Sequence, residues 1–361
     1  MKKLLLLTLT LTLALGAAAK PKKVVMIAGR QSHGPLSHEH KAGIMLLAKC
    51  LKDSAGELVA PTVVLNGWPQ DNSVFEGADA VVIYSDGGGR HPALGGNNLE
   101  LLGKLLAKGT GFLTIHYAVE PTTNKGNKEF ISWQGGCFET HWSVNPHWVA
   151  NFDKLPKHPI TNGVKPFKAN DEWYFHMRFA PDMKGVTPIL SDVAPKETMR
   201  RGNGAHSGNP HVRKSVAAGE TQHVAWAFER PNGGRGFGFT GGHNHLNWGN
   251  DDYRKTVLNA IVWVAQAEVP ANGVLSKLTE KDLYANLDNK GRRPRPTSNP
   301  GPGASSQFTG PKPVAQSKVI TRITGPAQLE ADIKGAKELH LVVTDGGNGY
   351  ACDWADWAEP T

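Results

Sequence analysis

His243 and His245 stand just past the apolar run 236–240, which ends in two glycines, Gly241 and Gly242. An imidazole titrates near neutrality. A ring held at a strand end can exchange a proton with a substrate hydroxyl or an enolisable carbon, or offer a lone pair to a metal ion. The same placement recurs along the chain: Arg30, Ser32 and His33 follow the run 23–29, Asp86 and three glycines follow 80–84, and His116 and Tyr117 follow 111–115. Glu172, beside Trp173 and Tyr174, adds a carboxylate. Imidazoles with a carboxylate suit a divalent transition metal, zinc foremost, whose open position polarises a carbonyl or activates water. His33, His116, His243 and Glu172 are therefore the candidate metal ligands, with His116, His243 and Glu172 as the candidate catalytic groups.

No pair of these residues has the spacing of a zinc-peptidase helix, so the set depends on strand ends converging. Each residue also has a structural role open to it. His116 can simply bond a neighbouring carbonyl, His243 can order a tight glycine turn, and Glu172 can be an ion-paired loop carboxylate. Asp86, Tyr117, Trp142, Tyr174 and Trp248 are the candidate substrate contacts, and Trp133, Phe138, Trp142 and Trp148 are dense in the loop region, where flat aromatic faces can either stack on a ligand or anchor the loops. His38, His40, His158, His206, His211, His223 and His340 read as surface or loop residues, and His245 as ordering the loop toward Trp248. The glycines after Asp86 read as a tight turn at the site edge, since no phosphate-binding pattern accompanies them and no nucleotide cofactor is expected.

The elements that must position these groups follow from apolar periodicity. Residues 23–29, 58–65, 80–84 and 111–116 read as strands. Helices are expected over about 38–54, capped by Ser37, and from Asn97 or Asn98 to Gly109. Residues 223–228 and 236–240 flank Pro231 to Gly234 as a hairpin, and Asn250 caps a helix carrying Val257, Leu258, Ile261 and Val264. Strands alternating with helices imply an α/β fold, a Rossmann-like three-layer parallel sheet that binds ligands beyond its carboxyl edge. Residues 120–220 read as long functional loops with short strands.

Of 361 residues, 1–19 have a basic start, an apolar stretch and a small-residue end at Ala17 to Ala19, as in a secretory signal peptide, so the mature protein is expected to be exported, periplasmic or secreted. Residues 20–275 form the α/β domain, 276–317 a Pro/Gly-rich linker region and 318–361 a partial β-domain, with strands at 319–323 and 339–343. No membrane span is expected. The three cysteines make no disulfide framework, and Cys50 reads as a small buried hydrophobe. The formal charge is +8, but removing Lys2 and Lys3 leaves +6, and residues 286–317 hold +4 of it. The rest is nearly neutral, and no nucleic-acid partner is expected.

One ordered series of segments carries a resemblance: His33 and the Ser37 to Glu39 region, 112–118, Gly135 to Phe138 with His141, 158–163, Asp171 to Tyr174, 224–226, and Gly241 to His243 through Tyr253 and Arg254 to Trp263. Over about 22–268 the chain resembles the ThuA-like (trehalose-utilisation) family, which implies the class I glutamine amidotransferase-like fold and a carbohydrate substrate such as trehalose or a 3-keto-glycoside. Two positions depart from the related patterns: Trp142 follows His141 where a proline is usual, and His116 stands where amidotransferases hold a nucleophilic cysteine. Glutaminase activity is not expected. The C-terminal segment, through Asp345 and the run 353–357, resembles the start of an NPCBM-type carbohydrate-binding domain. Two functions stay open: an enzyme on glycosides or keto-sugars using metal- or His-assisted acid–base chemistry, or a non-catalytic carbohydrate-binding or scaffold protein. The residues do not settle the oligomeric state.

Overall fold

Apolar runs closed by glycine or a polar turn become the strands of the computed structural model, which describes residues 20–291, Ala315, 329–332 and Lys334. The strands expected at 319–323 and 339–343 lie outside the described residues. In chain order the strands are β1 (Lys22–Ala28), β2 (Val59–Val64), β3 (Ala80–Tyr84), β4 (Gly111–Ile115), β5 (Gly136–Cys137), β6 (Trp148–Phe152), β7 (Phe167–Asp171), β8 (Arg178–Phe179), β9 (Val186–Val193), β10 (Thr221–Glu229) and β11 (Arg235–Phe239). The helices are α1 (His40–Ala55), α2 (Asn98–Ala107), α3 (Asn127–Gln134), α4 (Pro210–Ala217), α5 (Asp251–Val264) and α6 (Glu280–Leu283).

Seven strands form one sheet in the order β2-β1-β3-β4-β11-β10-β9. The first five are mutually parallel, and β10 runs antiparallel to both of its neighbours, so the sheet is mixed and mostly parallel. The β10–β11 hairpin produces this departure from an all-parallel sheet, since a short turn can only reverse the chain. Side chains alternate between two cores: Val24, Met26 and Ala28 pack with α1 and α5, whereas Val25 and Ile27 pack with α2 and α3. Both faces are covered, which is why β1, β3 and β4 are continuous apolar runs. Strand order reverses between β1 and β3, so the loops after these strands diverge and open a crevice at the carboxyl edge.

Two local expectations are corrected. Helix α1 starts at His40 with Glu39 in the cap position and no side-chain cap bond. Ser37 instead pairs with Asn244 in a β-bridge, because residues 32–39 belong to the site loop. The region 120–220 holds more regular structure than expected, including α3, α4 and the eight-residue edge strand β9. Asn250 does cap α5, accepting from the backbone N–H groups of Asp252 and Tyr253 at 3.0 and 3.1 Å. Residues 276–290, at the start of the segment read as linker, pack on the domain: His245 Nε2 donates to Leu283 O at 2.8 Å. No helix among the described residues is long and apolar enough to cross a membrane.

Two wholly buried histidines away from the crevice make stability depend on pH. Burial pushes His91 down to about 4, opposed by its bond to Ala118 O, and pushes His245 down to about 4, opposed by its bond to Leu283 O. The unfolded chain takes up these protons near the usual histidine value, so the unfolded state gains them first as pH falls. Stability is then full above about pH 6.5 and declines toward pH 4, by roughly 3 kcal/mol per residue at the end of that window. Urea unfolding between pH 7 and pH 4.5 checks this. The His91→Gln and His245→Gln variants should each show a shallower decline than the parent chain.

Candidate metal centre at the sheet edge

Four strand ends and one hairpin end build the site. The β1–α1 loop carries His33 and His38, the turn after β3 carries Asp86, the turn after β4 carries His116, and the two glycines after β11 lead to His243. Glu172 follows β7, which pairs antiparallel with β6 as a separate two-stranded sheet. His33, His38 and His116 have φ of 56°, 49° and 58°, a region that costs a residue with a Cβ about 1 kcal/mol or more. Such backbone persists where surrounding bonds over-determine it.

His38, His116, His243 and Glu172 offer ligand atoms that all lie within 4.8 Å of one another. His38 Nε2 is 3.1 Å from His116 Nε2 and 3.1 Å from His243 Nδ1, and His243 Nδ1 is 3.0 Å from Glu172 Oε2. The outer nitrogens settle the tautomers. His116 Nδ1 lies 2.8 Å from Thr240 O and His38 Nδ1 lies 2.9 Å from Asp86 Oδ1, and both partners are acceptors. Each Nδ1 therefore carries the proton, and both Nε2 atoms present lone pairs to the cluster. Burial holds His38 and His116 far below the usual histidine range, with the neighbouring imidazoles adding to the effect. Neutral rings with inward lone pairs and outer N–H groups tied to oxygen are the arrangement metal-ligating histidines adopt. The cluster could hold a metal ion.

Around it, Tyr174 Oη is 3.4 Å from both His116 Nε2 and Glu172 Oε2. Burial raises its pKa well above the usual phenol range, and burial pushes Tyr117 up to about 12, so both hydroxyls stay protonated. Glu172 Oε1 accepts from Asn145 Nδ2 at 3.1 Å, and Asn145 accepts from Arg201 at 2.8 Å. Asp86 Oδ1 also accepts from Ser32 at 2.8 Å, and His33, His38 and Asp86 form a second group of metal-ligating type sharing His38. Because Asp86 already takes the His38 Nδ1 proton, the simpler account of that group is an orienting carboxylate.

The turn carrying His243 hangs from Asp171. This fully buried carboxylate accepts from Gly242 N (2.9 Å), Asn244 N (3.1 Å), Glu172 N (2.9 Å), Asn247 Nδ2 (2.8 Å) and Tyr253 Oη (2.6 Å). Gly242 adopts φ +108°, and a Cβ on Gly241 would lie 2.6 Å from Tyr253 Oη. Tyr84 Oη donates to Gly242 O. Only glycines let the chain turn here against fully buried aromatic rings.

Of the residues singled out from sequence, His116, His243, Glu172 and Tyr174 come together. His33 lies at the mouth, its side chain 43% exposed and its ring stacked 3.5 Å from that of His38. Asp86 lies behind His38, and Tyr117 stands 6.1 Å from the His38 ring. Trp142 is not among them and packs against the Arg178 guanidinium at 3.5 Å and the His176 ring at 4.4 Å. Trp248 is fully buried among Tyr84, Phe239 and Tyr253, where a ligand cannot reach it without opening the core. Cys137 is buried on β5, its thiol pushed up by burial, and is no nucleophile. Reading His38 as a loop residue overlooked the most central imidazole, which lies in the β1–α1 loop two residues before α1, whereas His116 directly follows β4. His147, whose ring stands edge-on 4.7 Å from His243, and the Asn145–Glu172 bond were also overlooked.

Comparison with known proteins gives the following. Residues 24–264 match the ThuA family, described as trehalose utilisation, and residues 306–361 match the NPCBM/NEW2 domain. No curated protein matches the chain. Among solved structures, a ThuA-like protein from Bacteroides uniformis is 15% identical, with 70% of this chain and 95% of that chain covered and a TM-score of 0.47. One from Parabacteroides merdae is 16% identical, with 73% and 94% covered and a TM-score of 0.45. The mmIFT52 N-terminal domain is 10% identical, with 69% and 100% covered and a TM-score of 0.43.

Proposed function

We propose that this chain, which belongs to the ThuA trehalose utilisation family, processes glycosides or keto-sugars at His38, His116, His243 and Glu172, with the three imidazoles holding a divalent cation, zinc foremost, and Glu172 beside them as the acid–base group. The observation that carries the reading is the 3.1 Å approach of the His38 and His116 Nε2 atoms, whose rings keep their protons on Nδ1 and donate them in hydrogen bonds to Asp86 Oδ1 and Thr240 O. Two lone pairs that close repel unless a positive charge lies between them, and burial disfavours a second proton on either ring. The donor set of three imidazoles fits zinc.

A bound cation supplies stabilisation of developing negative charge on a substrate oxygen. The chain's own residues do the rest of the chemistry. Asp86 and Thr240 O hold two rings in fixed tautomers, so their orientation costs nothing at the moment of reaction. Glu172, whose Oε2 lies 3.0 Å from His243 Nδ1 at the edge of the imidazole set, is the acid–base group that can take a proton from a sugar hydroxyl or the carbon beside a keto group and return it. Tyr174, protonated and 3.4 Å from both His116 and Glu172, can donate a hydrogen bond to a substrate oxygen. The match of residues 306–361 to NPCBM/NEW2 supports a carbohydrate ligand, and export after removal of residues 1–19 is part of the same proposal.

The test is turnover of 3-keto-glycosides and of trehalose by the purified mature chain, before and after chelation. Turnover of at least one class, lost on chelation and restored by zinc, is the expected result. Binding of these sugars with no turnover under any metal would replace the enzyme with a non-catalytic carbohydrate-binding protein.

A further inference from the structure

The loop that aims His38 is held from outside itself, by the chain leaving the domain. Residues 33–38 contain three non-glycine positions in the left-handed region, His33 at φ 56°, Leu36 at 62° and His38 at 49°. A loop bent this way does not hold its shape unaided. Lys290 reaches into it. Its Nζ donates to Ser37 O at 2.6 Å and to His38 O at 3.1 Å, and lies 3.4 Å from Glu39 Oε1. The Lys290 side chain is only 2% exposed and that of Glu39 1%. Glu39 in turn clamps both partners, accepting from Leu36 N at 3.1 Å in the loop and from Asp288 N at 2.8 Å in the departing segment. Leu287 clusters with Leu36 and Ala42, Tyr284 packs against that cluster, and Gln31 donates to Asn289 O at 3.0 Å. Every residue from Leu36 to Glu39 thus has a polar or apolar tie to residues 284–290.

We infer that Lys290 is a positioning residue for the site: its buried ammonium fixes the backbone carbonyls of Ser37 and His38, and through them the direction in which His38 presents Nε2 to His116 and His243. The segment that leads from the α/β domain toward residues 306–361 is then part of the site's second layer of support. A buried ammonium bonded to two carbonyls and facing a buried carboxylate is costly to place and strongly destabilising to break on one side, so the pairing fixes one loop geometry. Removing the charge while keeping the stem should free the His38 backbone without emptying the space beneath it.

The experiment compares the full mature chain with Lys290→Met, reading the His38 imidazole by long-range nitrogen NMR without added metal. In the parent chain His38 should show a single neutral tautomer protonated on Nδ1, with a downfield proton bonded to Asp86. In Lys290→Met that signal should broaden or be replaced by a tautomer mixture, and amides 36–39 should exchange at least about 10-fold faster. Zinc affinity should fall about 10-fold, the size of effect expected from loosening an orienting partner. Glu39→Gln should move the His38 signal in the same direction by less, and carries the test should Lys290→Met not fold. Lys41→Met, which removes only the 3.3 Å ion pair to Asp288, should leave His38 unchanged. An unaltered His38 signal and unaltered exchange in a folded Lys290→Met would overturn the inference. The metal arm rests on the proposed function, whereas the NMR arm does not: a parent chain that binds no zinc would defeat the proposed function and still leave Lys290 decided.

Discussion

Replacing His38 with alanine is expected to lower zinc affinity by at least about 100-fold, more than the 10- to 100-fold cost of losing an orienting partner. The reason is geometric. His38 Nε2 is the atom common to both imidazole contacts, 3.1 Å from His116 and 3.1 Å from His243, so its loss removes the centre of the donor set. Asp86→Asn is the graded companion. It keeps the shape but weakens the acceptor that fixes the His38 Nδ1 proton at 2.9 Å, and zinc affinity should fall by roughly 10- to 100-fold. Isothermal titration of the two variants against the parent checks the order. Equal losses, or a larger loss for Asp86→Asn, would mean that Asp86 is itself a ligand and that His33, His38 and Asp86 form the principal site.

The second large effect concerns stability. Asp171→Ala is expected to lower the unfolding free energy by about 3–5 kcal/mol, because five donors lose a buried acceptor at once and water cannot replace it. Two of those donors are the backbone N–H groups of Gly242 and Asn244, on either side of His243, so the same substitution should release that histidine. Asp171→Asn retains one oxygen and should cost less. Denaturant unfolding at neutral pH measures both. A loss under about 1 kcal/mol for the alanine variant would show that the His243 turn is held by its glycines and Tyr84 instead.

Much of this architecture was legible in the residues. The runs 23–29, 80–84 and 111–116 are continuously apolar because both sheet faces are covered. The polar groups that follow them had to gather at one edge once the strands were parallel. Hence His116, His243 and Glu172 could be picked out. His38 could not be separated from its neighbours. Ser37 and Asn250 look alike as helix caps, yet Asn250 caps α5 while Ser37 pairs with Asn244, because the buried Glu39 and the strained loop claim that stretch for the site. Nothing local announces this. The ties from Lys290 and Asp288 span about 250 residues of sequence, a separation periodicity cannot bridge. Trp248, expected at the site from its closeness to the histidines, lies in the core instead. It sits in the single helical turn 245–249, and its ring packs against Tyr84 and Phe239.

His206 gives a further sense of how the sequence concealed the site's surroundings. Read as a loop residue, it bonds the buried Glu120 at 2.9 and 3.1 Å and stacks on Phe138, and that bond raises its pKa. The loop bearing it also sends Arg201 to Asn145, and so to Glu172. One wall of the crevice is therefore a polar network whose members come from residues 120, 145, 172, 201 and 206.

The measurement that bears most directly on the central claim is the metal content of the purified mature chain after extensive dialysis against zinc-containing and then metal-free buffer, with His116→Ala treated in parallel. The arrangement of neutral, inward-facing imidazoles predicts about one equivalent of zinc retained per parent chain and little in the variant. A parent chain that retains no more zinc than His116→Ala would contradict it, and the four side chains would then be a hydrogen-bonded acid–base cluster without a metal.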